Sequence, residues 1–127
     1  MSGQIHDGFV PGRHLIDAYG NGGFRFGDMS HRGSILALPS GVSAWAVTRP
    51  SDLTEAALEQ LFAESDSIDL LLLGTGLDIA AVPDSLRWRL RDLRIALDIM
   101  QTGAAARTYN VLVAENRKVA AALIAVG

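Results

Sequence analysis

Between His14 and Val47, short apolar runs alternate with glycine-rich breaks. LIDAY, FRF, SILAL and VSAWAV are separated by GNGG, GDMSHRG and PSG. Runs this short between turn-forming residues predict three or four strands, mostly antiparallel. Asn21-Gly22 predicts a hairpin, because both residues tolerate the positive φ of a tight turn. Residues 1–13, punctuated by glycine and proline, read as a loosely held arm ahead of a single domain over 14–127.

Beyond Arg49-Pro50 the period changes. Leu53, Ala57, Leu58 and Leu61 recur at helical spacing, and Asp52 with Glu55 fits a capping box, which predicts a helix over 53–64. Leu70 to Leu73 has no polar alternation, as expected of a strand buried on both faces in a partly parallel sheet. Pro83 suits the first turn of a helix running to about Leu93. Ile95 to Met100 reads as the next strand. Thr102 would cap a helix reaching Glu115, with Asn116 as its left-handed stop, and residues 118–126 read as the last strand. The second half is thus β-α-β-α-β, and right-handed crossovers should lay its helices against the sheet.

Composition narrows the function classes. The 127 residues are 49% hydrophobic and 20% charged, which predicts one folded domain. A net charge of −3 argues against nucleic acid or an anionic membrane as partner. The absence of cysteine removes disulfides, thiol catalysis and Cys-based zinc sites, and fits a reducing compartment. The N-terminus has neither the basic and apolar regions of a secretory signal nor the Arg- and Ser-rich run of a transit peptide. No apolar run could span a bilayer. The expectation is a cytoplasmic protein.

Candidate chemistry is sparse. Gly74-Thr75-Gly76 follows a strand as a phosphate loop should, but it matches neither standard glycine fingerprint, no lysine follows, and the next helix starts too late to cradle a pyrophosphate. A strand exit is the better reading. Thr102-Gly103 opens a helix whose free N–H groups could hold an anion, or whose small residues simply allow close packing. The Thr102 and Gly74 turns should share the carboxyl edge of the sheet, where ligands of open α/β folds sit. Arg107 and Asn110 share a helix face and either anchor neighbouring loops or line a site.

Asp17, Tyr19 and Arg25 lie on the first hairpin and Asp98 on the penultimate strand. Asp17 and Asp98 could form an acid/base couple, although strand carboxylates are more often solvated or paired with arginine. His6, His14 and His31 show no metal spacing, and Ser34, Ser40 and Ser43 no nucleophile elbow. Trp45 and Trp88 read as packing residues, Trp88 also as a candidate interface anchor.

Taken together, IDAYGNGGFRF, GSILALP, LLLLGTG and MQTGAAARTYNVLVAENRKVAAALI resemble one family of small α/β proteins. It comprises bacterial and archaeal proteins of unknown function and the mitochondrial NADH:ubiquinone oxidoreductase (complex I) assembly factor three. The resemblance covers about Ile16 to Ile124 in order. It implies a three-layer α/β fold around a mixed central sheet, with a smaller antiparallel β element, and no enzyme activity, metal or cofactor. For the mitochondrial relatives it implies a chaperone-like assembly role through protein partners. Gly74, Thr75 and Gly76 match the family's GTG turn; Thr102 and Arg107 to Asn110 match its helix motif; Glu115 and Arg117 match its E-G-R segment. Asn116 replaces the glycine there, and Asn tolerates the left-handed conformation. The missing presequence of the mitochondrial members points to a bacterial cytoplasmic setting.

The expectation is a non-enzymatic interaction or assembly protein without cofactor, whose partner is a protein, with respiratory-complex subunits among the candidates. The alternative is a small-anion-binding protein or unrecognised enzyme using the crevice near Gly74 and Thr102.

Overall fold

The computed structural model describes residues 8–127. His6 and the first part of the predicted arm lie outside the described residues, as does the start of the segment read as lacking a secretory signal.

The chain builds two sheets. The larger has six strands in the order β1-β6-β5-β9-β7-β8. These are β1 (Phe9–Pro11), β5 (Ser34–Leu38), β6 (Gly41–Trp45), β7 (Leu70–Gly74), β8 (Ala96–Met100) and β9 (Val119–Leu123). The smaller is an antiparallel meander of β2 (Ile16–Gly20), β3 (Gly23–Phe26) and β4 (Met29–Arg32). Strand β7 runs parallel to both its neighbours, β8 and β9, while β5 and β6 join antiparallel. The large sheet is therefore mixed. Asn21 (φ 54°) and Gly22 (φ 80°) turn the β2–β3 hairpin in the left-handed conformation their side chains permit.

The crossovers explain the layers. From β7 through α2 (Asp84–Asp92) the chain steps outward to β8; through α3 (Thr102–Ala114) it steps back past β7 to β9. Right-handed connections of opposite step put their helices on opposite faces. Packing agrees. Leu86 and Leu90 of α2 meet Leu71 and Leu73, whereas Ala105, Ala106 and Tyr109 of α3 meet Leu72 and the small sheet's Ile16, Phe24 and Phe26. Leu71, Leu72 and Leu73 are all fully buried, each contributing about 1.5–3 kcal/mol of hydrophobic stabilisation. The unalternating leucines thus anchor both cores of a three-layer α/β fold.

Three segments and one helix start differ from expectation. Residues 53–64 are a 3-10 turn at Ala56–Leu58 followed by a single helical turn, α1 (Glu59–Phe62). Asp52 caps nothing here, because its carboxylate accepts from the Thr48 amide and hydroxyl. Trp45, buried as expected, donates its indole N–H to the Ala57 carbonyl at 2.7 Å, which engages that carbonyl outside a regular helix. Met29–Arg32, read as part of a turn, forms β4. Phe9–Pro11, within the stretch read as an arm, pairs with β6 as an edge strand. Pro83 sits at the N-cap of α2 rather than in its first turn.

Candidate functional site

The carboxyl edge of β7 and β8 is where the two helices leave toward opposite faces, the position at which open α/β sheets take ligands. Here the chain fills that position with itself. Thr102 is fully buried and occupies the first turn of α3 rather than its cap; Gln101 takes the N-cap without a side-chain bond. The Thr102 hydroxyl accepts from the Gly76 amide (2.9 Å) and donates to the Ile124 carbonyl (2.7 Å). Main-chain bonds run beside it: Thr102 N–H to Gly76 O at 2.9 Å, and Ile124 N–H to Gly74 O at 3.0 Å. One side chain therefore ties the ends of β7, β9 and α3.

Gly74 has no room for a side chain, since a Cβ there would lie 2.8 Å from the Thr102 Cα. Gly76 has φ +104°, a conformation that L residues rarely adopt. Thr75, also buried, donates its hydroxyl to the Asp78 carbonyl (2.8 Å) and accepts from the Ala80 amide (3.1 Å), while its own amide reaches the Met100 carbonyl (3.0 Å). The expected strand exit is thus a hydrogen-bonded knot in which each of these polar groups has a protein partner.

The RTYN segment of α3 divides its work among four anchors. Asn110 makes a two-point bond with Ile16, accepting its amide at 2.8 Å and donating to its carbonyl at 2.9 Å. Arg107 donates to the Tyr19 hydroxyl at 3.3 Å. Thr108 contacts the Met100 sulfur at 3.8 Å. Tyr109 is fully buried, and its hydroxyl has no hydrogen-bond partner among the described residues. Burial pushes its pKa up, and the Arg13 guanidinium, near the hydroxyl but outside hydrogen-bond geometry, pulls it the other way. Tyr19 lies over Gly103, where an added Cβ would overlap the phenol, so it covers the first turn of α3.

Tyr19 and Arg25 also line a groove of about 280 Å³ on the small sheet, together with Ser30, His31 and Arg32. Neither arginine forms an ion pair among the described residues. Burial lowers the His31 pKa, opposed by its bond to the Ser34 backbone, so the guanidiniums carry the groove's charge at neutral pH. Asp17 and Asp98 do not come together. They are exposed, belong to different sheets, and share no bond. Trp88 is 64% exposed and so is not a packing residue.

Two structural residues had no signal in the sequence. Arg13 reaches across to the Val119 carbonyl at 2.8 Å, and the Ser34 hydroxyl accepts the Ala125 amide at 2.9 Å. The bonds join residues 106 and 91 positions apart, beyond the reach of any local pattern.

A family described as a protein of unknown function (DUF498/DUF598) matches residues 16–124. An uncharacterized protein of Rhodobacter capsulatus is 43% identical over 109 residues, 86% of this chain and 82% of its own. The Drosophila melanogaster NADH dehydrogenase (ubiquinone) 1 alpha subcomplex assembly factor 3 is 35% identical over 115 residues, 87% of this chain. The match spans 58% of that fly protein. The crystal structure of an outer membrane protein from Bartonella henselae is 54% identical, with a TM-score of 0.89 over 92% of this chain and 98% of that one. No helix among the described residues is long and apolar enough to cross a membrane.

Proposed function

The chain belongs to the DUF498/DUF598 family of proteins of unknown function, and on that premise we propose that it is a non-enzymatic assembly-type protein that works by binding a protein partner. By analogy with the relatives named as assembly factors, the partner would be a subunit of a respiratory NADH dehydrogenase, met in the cytoplasm. The observation that carries this reading is the Thr102 knot. The place where an α/β fold of this kind would hold a ligand is taken up by buried side chains already bonded to protein. A ligand there would have to displace hydrogen bonds that the buried Thr75 and Thr102 already make.

The test is affinity purification of the intact chain from its source organism, with identification of co-purifying proteins. The reading expects a reproducible protein partner, no turnover on general hydrolase, phosphatase and oxidoreductase panels, and no binding of ATP or NAD. Tight nucleotide binding abolished by Gly76→Val would overturn it, as would turnover abolished by Asp17→Ala or Asp98→Ala.

One observation favours a second reading. The groove of Tyr19, Arg25 and Arg32 presents two guanidiniums without carboxylate partners, chemistry suited to a small anion. Phosphate titration followed by amide shifts at Arg25 and Arg32 distinguishes this function from partner binding.

A further inference from the structure

Strand β8 ends the large sheet, with β7 its single neighbour. The Ala96 amide donates to Asp69 O at 2.9 Å, and Met100 O accepts from Thr75 at 3.0 Å. Since main-chain groups alternate sides along a parallel strand, those of Leu97 and Ile99 point away from β7, toward the open edge. An edge of this kind is a template for another extended chain unless something blocks it.

The surface beside the edge is distinctive. Leu86 and Leu90 bury one stripe of α2, which leaves Arg87, Trp88 and Arg91 toward solvent. Arg94 follows the helix in the left-handed conformation at φ 61°. These residues, with Ile95 and Leu97, line a groove of about 440 Å³ that has no acidic residue in its wall. Arg87, Arg91 and Arg94 form no ion pair among the described residues. Arg89, by contrast, is engaged over the Phe62 ring at 5.3 Å. Three guanidiniums and an exposed indole thus meet on one groove of a chain whose net charge is −3. Tryptophan and arginine are the residue types that dominate binding energy at interfaces.

We propose that this groove docks an extended acidic segment of a partner protein, which pairs with β8 as an added strand. Its carboxylates would meet Arg87, Arg91 and Arg94, and an apolar side chain would pack on Trp88. The proposal rests on the protein-partner reading above and specifies the partner's chemistry. Free main-chain groups call for another main chain, which neither nucleic acid nor lipid supplies. A second copy fits poorly, because a two-fold pair through β8 would bring the arginines of both α2 helices together.

The test titrates isotope-labelled intact protein with a short end-capped peptide that carries glutamates and a valine at alternate positions, and so on one strand face, against the same peptide with lysine for glutamate. The expected result is amide shifts at Leu97 and Ile99 and an indole shift at Trp88, with the acidic peptide alone. Arg91→Glu and Trp88→Ala should each weaken binding by roughly tenfold or more without changing the melting temperature. An equal response to the lysine peptide, shifts centred on the Tyr19 groove, or self-association through β8 would overturn the proposal. Capture from cell extract with wild type and Arg91→Glu separates the two levels. Partners lost with Arg91→Glu support this groove. Partners retained equally overturn the groove and leave the protein-partner reading standing, whereas no partner for the wild type removes that reading itself.

Discussion

Replacing Thr102 by valine keeps the shape of the side chain and removes its hydroxyl. Two groups then lose their partner: the Gly76 amide, which donates at 2.9 Å, and the Ile124 carbonyl, which accepts at 2.7 Å. Ile124 is buried, so its carbonyl has no water to turn to and bears the full cost of being unsatisfied, about 1–3 kcal/mol. Gly76 is half-buried and recovers part of its loss from solvent. The total is about 2–3 kcal/mol, which for a chain of this length lowers the melting temperature by roughly 8–12 °C. Thr102→Ser keeps the hydroxyl and loses only a methyl group, a change of about 0.8 kcal/mol. Urea and thermal melts of both variants beside the wild type measure the difference. If Thr102→Val were as stable as Thr102→Ser, the knot would not hold the carboxyl edge together, and the reasoning would fail.

Three further outcomes are expected. Asn116 stops α3 at φ 59°, so Asn116→Gly should be neutral or mildly stabilising and Asn116→Val destabilising by about 1–2 kcal/mol in thermal melts. Asn110→Ala removes both bonds to Ile16 and should cost about 1–2 kcal/mol; hydrogen exchange should quicken in β2 and β3 and stay unchanged in β7 and β9. The Tyr109 pKa is raised in the folded state above the ordinary 10.0, so its contribution to stability is complete below pH 10 and is lost as pH rises through the folded value. Tyr109→Phe, which removes an unpartnered buried hydroxyl, should be at least as stable at neutral pH and should show a smaller alkaline loss.

The parts of the fold that were legible in the sequence are those written in local residue chemistry. Asn21-Gly22 specifies a turn by its own φ tolerance, the bare leucines of β7 specify burial on both faces, and Asn116 specifies a stop. The resemblance supplied the layering. What was not legible depends on distant partners. Met29–Arg32 is polar and half-exposed because it is the edge of a small meander, and such a strand looks like a turn when flanked by Gly27 and Gly33. Apolar spacing over 53–64 satisfied a helix pattern, yet Thr48 engages Asp52 and Trp45 engages Ala57, leaving one regular turn.

The candidate residues followed the same division. Gly74, Thr75, Gly76 and Thr102 do meet at one edge, as parallel neighbouring strands dictate. That the Thr102 hydroxyl reaches Ile124, and is not a cap, requires knowing which strand lies beside β7. Arg107 and Asn110 serve as anchors to β2 for the same non-local reason.

The central claim, that this protein acts by engaging another protein, is tested most directly by its size in the cell. Gentle extracts of the source organism, fractionated by mass and probed with an antibody, should show part of the protein in an assembly larger than the purified chain forms at equal concentration. If all of it migrated like the purified 13.5 kDa chain, the account would be contradicted.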